Sequence, residues 1–187
     1  MKNAINKIVD ELDLPIRLKK ECKEYYNDSI EKTDKNYYIY GNSGTGKTIQ
    51  ALTLLLQIAV HNFPKNNDSL LKYDFFAFFE YGYLNVPEFL FNLRNAYSSR
   101  NAEEYINKYK ETAYLVLDDI GTEKQTDWTH EILYLLVNHR YNTYKTTIAT
   151  SNLSPEELRK KLKDDRIISR LLFNATVLHK TKNYRNK

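Results

Sequence analysis

One eight-residue segment, residues 41–48, has the residue types and spacing that can hold a triphosphate. Successive backbone N–H groups of such a loop point inward around the phosphates, and glycine is needed where a side chain would block their approach. Lys47 can then reach the β- and γ-phosphates, and the Thr48 hydroxyl can take one site on Mg²⁺. The segment therefore predicts a site for a nucleoside triphosphate with Mg²⁺. Its members are Gly41, Asn42, Ser43, Gly44, Thr45, Gly46, Lys47 and Thr48.

Two acidic residues, Asp118 and Asp119, directly follow an apolar run at 113–117. Ligands of α/β proteins bind outside the carboxyl ends of sheet strands, so we expect these carboxylates in the same site. Asp118 is predicted to hold Mg²⁺, directly or through water, and Asp119 to orient or deprotonate the attacking water. A solvated strand end is the alternative explanation. Glu123 is a rival for the water-orienting role because its side chain has a longer reach.

Two further segments carry polar side chains whose spacing leaves their roles open. Asn152 follows a strand-like run and could hydrogen-bond the γ-phosphate or the attacking water, although Asn is also a common turn residue. Arg166 and Arg170 are four residues apart, hence on one face of a helix. An arginine here could stabilise transition-state charge on a neighbouring subunit's γ-phosphate, or the pair could face solvent or contact Asp164 and Asp165.

The elements around these residues alternate between helix-like and strand-like patterns. This alternation is typical of an α/β fold in which helices cover both faces of a mainly parallel sheet. Ser154, Pro155 and Glu157 form a helix start signal with Ser at the N-cap, Pro at the first helical position and Glu two residues later. Strands are predicted at 36–40, 74–80, 113–117 and 146–150, and helices at 4–27 with a break at 14–15, then at 49–60, 86–97, 102–109, 128–142 and after 154.

The composition restricts the class of protein. The 187 residues fit one domain, and the net charge of +4 is asymmetric, because residues 156–187 hold ten basic and four acidic side chains. Such a bias suits a phosphate-bearing neighbour or a solvated basic tail. Cys22 is the one cysteine, which excludes an intrachain disulfide and a Cys-based zinc site, and the four histidines lack metal-ligand spacing. With no apolar signal sequence at 1–20 and no apolar stretch of about 20 residues, we expect a cytoplasmic protein without a membrane span.

Four motifs together resemble the AAA+ ATPases of the DnaC/DnaI helicase-loader and IstB transposition-helper group. They are YGNSGTGKT at 40–48, LDDIGTEKQTDW at 117–128, TSNLSPEEL at 150–158 and RIISRL at 166–171. The resemblance covers roughly residues 36–180 and implies a P-loop sandwich with a central five-stranded sheet that binds ATP and Mg²⁺. It implies that Asn152 is the sensor I residue, that Arg170 is the arginine finger with Arg166 beside it, and that Arg185, in Tyr184-Arg185, senses nucleotide in cis.

The same resemblance implies a function in DNA replication. The expected protein is an ATP-dependent helicase loader that forms a homo-oligomer with ATP, binds single-stranded DNA and a replicative helicase, and hydrolyses ATP slowly unless DNA or a partner stimulates it. Residues 1–35 are expected to form a short helical extension, and 36–187 the ATPase domain without a separate lid domain, as in a shortened phage or mobile-element version. Candidate DNA contacts are Arg94, Arg100 and the basic run 159–163.

Three other functions stay open on the sequence alone. An IstB-type helper would use the same ATPase to regulate a transposase on duplex DNA. A small-molecule P-loop kinase would need an acceptor pocket and a basic lid that closes in cis. A nucleotide-gated binding module would barely hydrolyse ATP even with DNA and partner present.

Overall fold

The computed structural model describes residues 2–25, 35–62, 80–98 and 101–184. In these residues, parallel strands form one five-stranded sheet, in which every strand is hydrogen-bonded to its neighbours in the spatial order β2-β3-β4-β1-β5. This confirms the predicted α/β sandwich with a mainly parallel sheet. The strands are β1 Asn36–Gly41, β2 Tyr81–Asn85, β3 Tyr114–Asp118, β4 Thr146–Ser151 and β5 Ala175–Lys180.

Helices pack on both faces of the sheet. Strand side chains alternate between the faces, so Ile39 and Val116 point into one core while Leu115 and Leu117 point into the other. Apolar residues on both faces are expected for parallel strands, which are buried on each side. The first core includes α1 Lys2–Glu11, α2 Ile16–Tyr25 and α3 Lys47–Asn62, and the second includes α4 Val86–Ser98, α5 Ala102–Glu111, α6 Asp127–Asn142, α7 Pro155–Leu162 and α8 Asp165–Leu171.

The N-terminal helices share a core with α3. Val9 and Cys22 are fully buried, as are Leu52 and Leu55 of α3 in the same cluster. Burial raises the pKa of the Cys22 thiol to about 12, so this thiol stays protonated and packs as an apolar group. The predicted break at 14–15 lies between α1 and α2. The domain boundary at residue 35 stays a prediction.

The strand next to β3 lies at residues that the sequence pattern did not predict. Of the predicted strand 74–80, residues 74–79 lie outside the described residues, and residue 80 is in a turn. The strand that pairs with β3 is β2, at Tyr81–Asn85. Both runs contain aromatic residues that favour strands, so pairing with β3, rather than local propensity, identifies β2.

A buried arginine joins the amino ends of β3 and β4. Arg140, in the last turn of α6, is 1% exposed. Its guanidinium donates to the carbonyl oxygens of Tyr109 (2.9 Å), Thr112 and Thr146 (2.6 Å), and its Nε donates to Thr147 Oγ1 (3.0 Å). These bonds satisfy a buried cation with carbonyl oxygens and fix the sheet at the edge opposite the candidate site.

No helix in the described parts of the chain combines the length and the apolar character that a bilayer crossing requires.

Candidate nucleotide site

The carboxyl ends of β1, β3 and β4 meet at one edge of the sheet. The three strands are parallel neighbours, with Leu117 paired to Ala149 and Tyr40 paired to Ser151. The segments that follow these paired residues therefore lie at the same level. They are loop 41–48, the Asp118-Asp119 pair and Asn152.

Loop 41–48 turns sharply into α3. Gly41, Gly44 and Gly46 have positive φ angles of 146°, 82° and 77°, a region that glycine enters at little cost. At Gly41 a Cβ atom would also lie 2.0 Å from the Lys180 carbonyl oxygen of β5, so no side chain fits there. Because α3 begins at Lys47, the positive end of its helix dipole lies at the loop and favours an anion.

The loop lysine is held beside the predicted sensor residue. Lys47 is 6% exposed, and its ammonium donates to the Asn42 carbonyl oxygen at 3.0 Å and to Asn152 Oδ1 at 2.8 Å. The structure therefore brings Asn152 to the loop, as a γ-phosphate contact would require. Within the loop, the Thr45 hydroxyl donates to the same Asn42 carbonyl oxygen at 2.8 Å.

Asp118 is buried, and hydroxyl groups donate to both of its oxygens. Its Oδ1 accepts from Thr48 Oγ1 at 2.9 Å and from Thr150 Oγ1 at 2.7 Å, and its Oδ2 accepts from the Tyr83 hydroxyl at 2.9 Å. Burial, followed by the Asp118 charge, raises the pKa of Tyr83, which keeps this hydroxyl a donor. The predicted metal ligands Thr48 and Asp118 are thus adjacent.

The side-chain oxygens of Thr48 and Asp118 are suitable ligands for Mg²⁺. This ion keeps several waters and takes one or two protein ligands together with substrate phosphates. Across the described residues, no group of three or more His, Cys, Asp or Glu side chains could hold a metal by itself. A hydroxyl and a carboxylate beside a phosphate-binding loop are the kind of partial ligand set that Mg²⁺-nucleotide needs.

Asp119 and Glu123 make different contacts in the turn that follows β3. Asp119 is half-buried with a φ of 61°, and its N–H donates to Thr150 Oγ1 at 3.0 Å. The Glu123 carboxylate is buried and accepts from the Gly121 N–H and from the Gln125 side chain, both at 2.8 Å. Glu123 therefore stabilises the turn that follows β3, and Asp119 remains our candidate for orienting water.

Arg166 is paired with an acidic residue of its own helix start. Asp164 caps α8 by accepting from the Arg166 N–H at 2.8 Å, and its carboxylate also accepts from the Arg166 guanidinium, with Nη2 at 2.7 Å. The Arg166 guanidinium lies 4.7 Å from the Tyr134 ring centroid, and 60% of the Arg166 side chain is exposed. The hydrogen bond from Arg166 lowers the pKa of Asp164 to about 2.

Arg170 lies against α6. Its Nε donates to Asn138 Oδ1 and its Nη1 to the Arg166 carbonyl oxygen, both at 2.8 Å. Its guanidinium lies 5.3 Å from the ring centroid of Tyr134 and 5.4 Å from that of Tyr141. The hydrogen bonds and ring contacts of both arginines are with α6 and residues 164–166, not with loop 41–48. The two residues thus form a surface separate from the chain's own phosphate loop.

The last residues that the structure describes, Asn183 and Tyr184, pack on the phosphate loop. The Tyr184 N–H donates to the Gly44 carbonyl oxygen at 2.9 Å, and the Asn183 side chain reaches the Ser43 carbonyl oxygen at 3.4 Å. Arg185, the predicted cis sensor, lies outside the described residues, as does the DNA candidate Arg100. Both assignments stay predictions.

The sequence analysis missed Thr150 and Tyr83. Thr150 had a usable signal, since it lies two residues before Asn152, at the end of a strand whose register places it beside Asp118. Tyr83 had none, because β2 was not predicted at 81–85. Both side chains touch the predicted metal ligand Asp118.

This fold, with a phosphate-binding loop before α3 and a carboxylate pair after β3, defines the AAA+ class of P-loop ATPases. Within that class, the chain belongs to the family of the bacterial DnaA ATPase domain, whose model matches residues 24–177. The predicted resemblance to the DnaC/DnaI group is also confirmed. The chain is 31% identical over 153 residues to the replicative helicase loader DnaI of Bacillus subtilis (strain 168), a match that covers 75% of this chain and 44% of the relative. The chain thus spans less than half the length of the curated relatives that it matches.

Solved structures share the fold. A crystal structure of the DnaC helicase loader matches with a TM-score of 0.63 at 20% identity, covering 91% of this chain and 94% of that one. The replication initiator DnaA bound to AMPPCP and single-stranded DNA matches with a TM-score of 0.57 at 21% identity, covering 91% of this chain and 48% of that one.

Proposed function

We propose that this chain is an ATP-dependent, helicase-loader-like AAA+ ATPase that acts in DNA replication in the cytoplasm. The observation that carries the proposal is the hydrogen-bonded group at the carboxyl edge of the sheet. There Lys47 contacts Asn152, and Thr48 contacts Asp118. The similarity to a DnaI loader supports the loader function over that of a transposition helper.

Loop 41–48 binds the triphosphate through its backbone N–H groups and Lys47. Thr48 and Asp118 would hold Mg²⁺, which supplies positive charge to the phosphate oxygens when it is bound. Asp119 orients or deprotonates the attacking water, and Asn152 hydrogen-bonds the γ-phosphate or that water. The AMPPCP bound to the structural relative DnaA supports the nucleotide assignment. We expect slow hydrolysis that DNA or a partner stimulates.

The nucleotide is proposed to lie between subunits of a homo-oligomer. Arg170 acts in trans on a neighbour's γ-phosphate, with Arg166 beside it, and Arg185 contacts nucleotide in cis. The contacts of Arg170 with Asn138 and Tyr141 of α6, rather than with its own phosphate loop, support a trans role. ATP binding then favours assembly, and hydrolysis favours release.

Single-stranded DNA is proposed to bind along α4. Phe91 is 66% exposed on this helix, and the Arg94 guanidinium lies 4.8 Å from the Trp128 ring centroid. An exposed aromatic ring can stack on a base, and a nearby arginine can contact phosphate, which gives affinity without sequence preference. Arg100 and the exposed basic residues of 159–163 are further candidate phosphate contacts. The DNA-bound structure of the relative DnaA supports this ligand class.

The first experiment tests the nucleotide site. Lys47→Ala should abolish ATP binding, whereas Arg170→Ala should keep binding and lower hydrolysis about 1000-fold or more, as for the arginine fingers of GTPases. Arg17→Ala is the matched control, because Arg17 is 65% exposed on α2 and pairs with Glu21. Fluorescent ATP-analogue binding and phosphate release with single-stranded DNA are the measurements. Full DNA-stimulated turnover in Arg170→Ala would contradict the trans assignment.

The second experiment tests the partner. Light scattering after gel filtration, with ATP analogue and single-stranded DNA, should show co-elution with the cognate replicative helicase. Self-assembly without helicase binding would contradict the loader function and favour a transposition or DNA-remodelling helper.

A further inference from the structure

A tyrosine from the edge strand of the sheet contacts the predicted metal-binding carboxylate. The Tyr83 hydroxyl donates to Asp118 Oδ2 at 2.9 Å, while Asp118 Oδ1 accepts from Thr48 and Thr150. The three donors come from β2, α3 and β4. Only Thr48 belongs to the phosphate-loop motif, so the contact from Tyr83 is a feature of this chain that the motif does not specify.

The strand register explains how Tyr83 reaches Asp118. Tyr83 pairs with Val116 on β3, and Asp118 lies two residues further along on the same face of the sheet. A tyrosine side chain is long enough to extend along the strands over that distance. Asp118 is 3% exposed, so few positions could supply a donor to Oδ2 from this side.

We propose that Tyr83 is a positioning residue for Asp118, which sets the orientation of this carboxylate toward Mg²⁺. This inference rests on the proposed function, in which Asp118 and Thr48 hold the metal. The terminal torsion of an aspartate is soft and nearly two-fold. The hydrogen bonds from Thr48 and Thr150 to Oδ1 and from Tyr83 to Oδ2 together hold the carboxylate in one orientation, with Oδ1 directed at Thr48. Removing the tyrosine hydroxyl leaves Oδ2 without this donor, which weakens the restraint on that rotation.

The test is Tyr83→Phe, which removes the hydroxyl and keeps the ring. Loss of an outer partner of a metal ligand typically weakens metal affinity about 10- to 100-fold. We therefore expect the Mg²⁺ midpoint for enhancement of fluorescent ATP-analogue binding to rise about tenfold, while binding in EDTA changes less than about twofold. Tyr81→Phe is the matched control on the same strand, because its hydroxyl faces Asn62 instead. This control should keep the wild-type midpoint.

A double-mutant cycle separates positioning from a purely structural role. If Tyr83 acts through Asp118, then Tyr83→Phe should have no further effect on the Mg²⁺ midpoint in an Asp118→Asn background. An unchanged or lower midpoint in the single variant overturns the inference. Equal loss of binding with Mg²⁺ and with EDTA also overturns it, since that result would show general damage to the loop. Wild-type binding that does not respond to Mg²⁺ would instead refute the proposed function, and the inference with it.

Discussion

Replacing Thr150 by Val should destabilise the fold, although the two side chains have nearly the same shape. The Thr150 hydroxyl is fully buried, donates to Asp118 Oδ1 at 2.7 Å and accepts from the Asp119 N–H at 3.0 Å. A hydrogen bond to a charged group contributes about 1.5–3 kcal/mol, and a buried donor that loses its acceptor costs about 1–3 kcal/mol. The added methyl group offsets roughly 1 kcal/mol through burial. We expect the free energy of unfolding to fall by about 3 kcal/mol.

Urea unfolding followed by circular dichroism measures this change, with a constant m-value as the requirement for comparing midpoints. Thr146→Val is the matched control, because Thr146 is buried at the opposite end of β4, away from Asp118. Thr150→Ser keeps the hydroxyl and should recover most of the loss. If Thr150→Val lies within about 0.5 kcal/mol of the Thr146→Val control, an amount usual for neutral substitutions, the two hydrogen bonds do not contribute as argued.

Two further predictions concern Asp164 and Gly41. Asp164→Asn keeps an N-cap but loses the ion pair that lowers the pKa of Asp164 to about 2. Because 60% of the Arg166 side chain is exposed, solvent screens the ion pair, and we expect the free energy of unfolding at pH 7, measured with urea, to fall by about 1 kcal/mol. This stabilisation is present above the ordinary carboxyl pKa near 4 and disappears as the pH falls through about 2. A loss of stability in Asp164→Asn that is as large at a pH near 2 as at a pH above 4 would contradict the assignment. Gly41→Ala should cost about 4 kcal/mol, from strain and a 2.0 Å contact with Lys180. Gly46→Ala, at a φ of 77° and with 3.7 Å to its nearest neighbour, should cost clearly less by the same measurement.

The sequence pattern was enough to predict most of the sheet. The bounds of β1, β3 and β4 agree with the predicted runs to within one residue, because short runs rich in β-branched and aromatic residues mark strands. The start of α7 agrees too, since Ser154 and Glu157 form the capping box that their spacing predicts. The strand at Tyr81–Asn85 was not predicted, because its identification depends on pairing with β3, which is distant in sequence.

The residues of the candidate site also fall into two groups, those that could be predicted from sequence and those whose surroundings depend on packing. Lys47, Thr48, Asp118 and Asn152 could be selected from sequence because each lies at the end of a predicted strand or in the phosphate loop, and the register of parallel strands brings those ends together. The surroundings of Arg170 could not be predicted. They depend on how α8 crosses α6, which decides that Asn138 and two tyrosine rings surround the guanidinium.

The burial of Asp118 explains why the missed residues belong to the site. A carboxylate that is 3% exposed carries a large desolvation penalty unless donors surround it. The phosphate-loop motif supplies one donor, Thr48, and two more come from Thr150 and Tyr83. A chain with the same motif but apolar side chains at 83 and 150 would bury a poorly compensated charge. Donor residues on the neighbouring strands are therefore part of what lets this sequence bury Asp118 beside its phosphate loop.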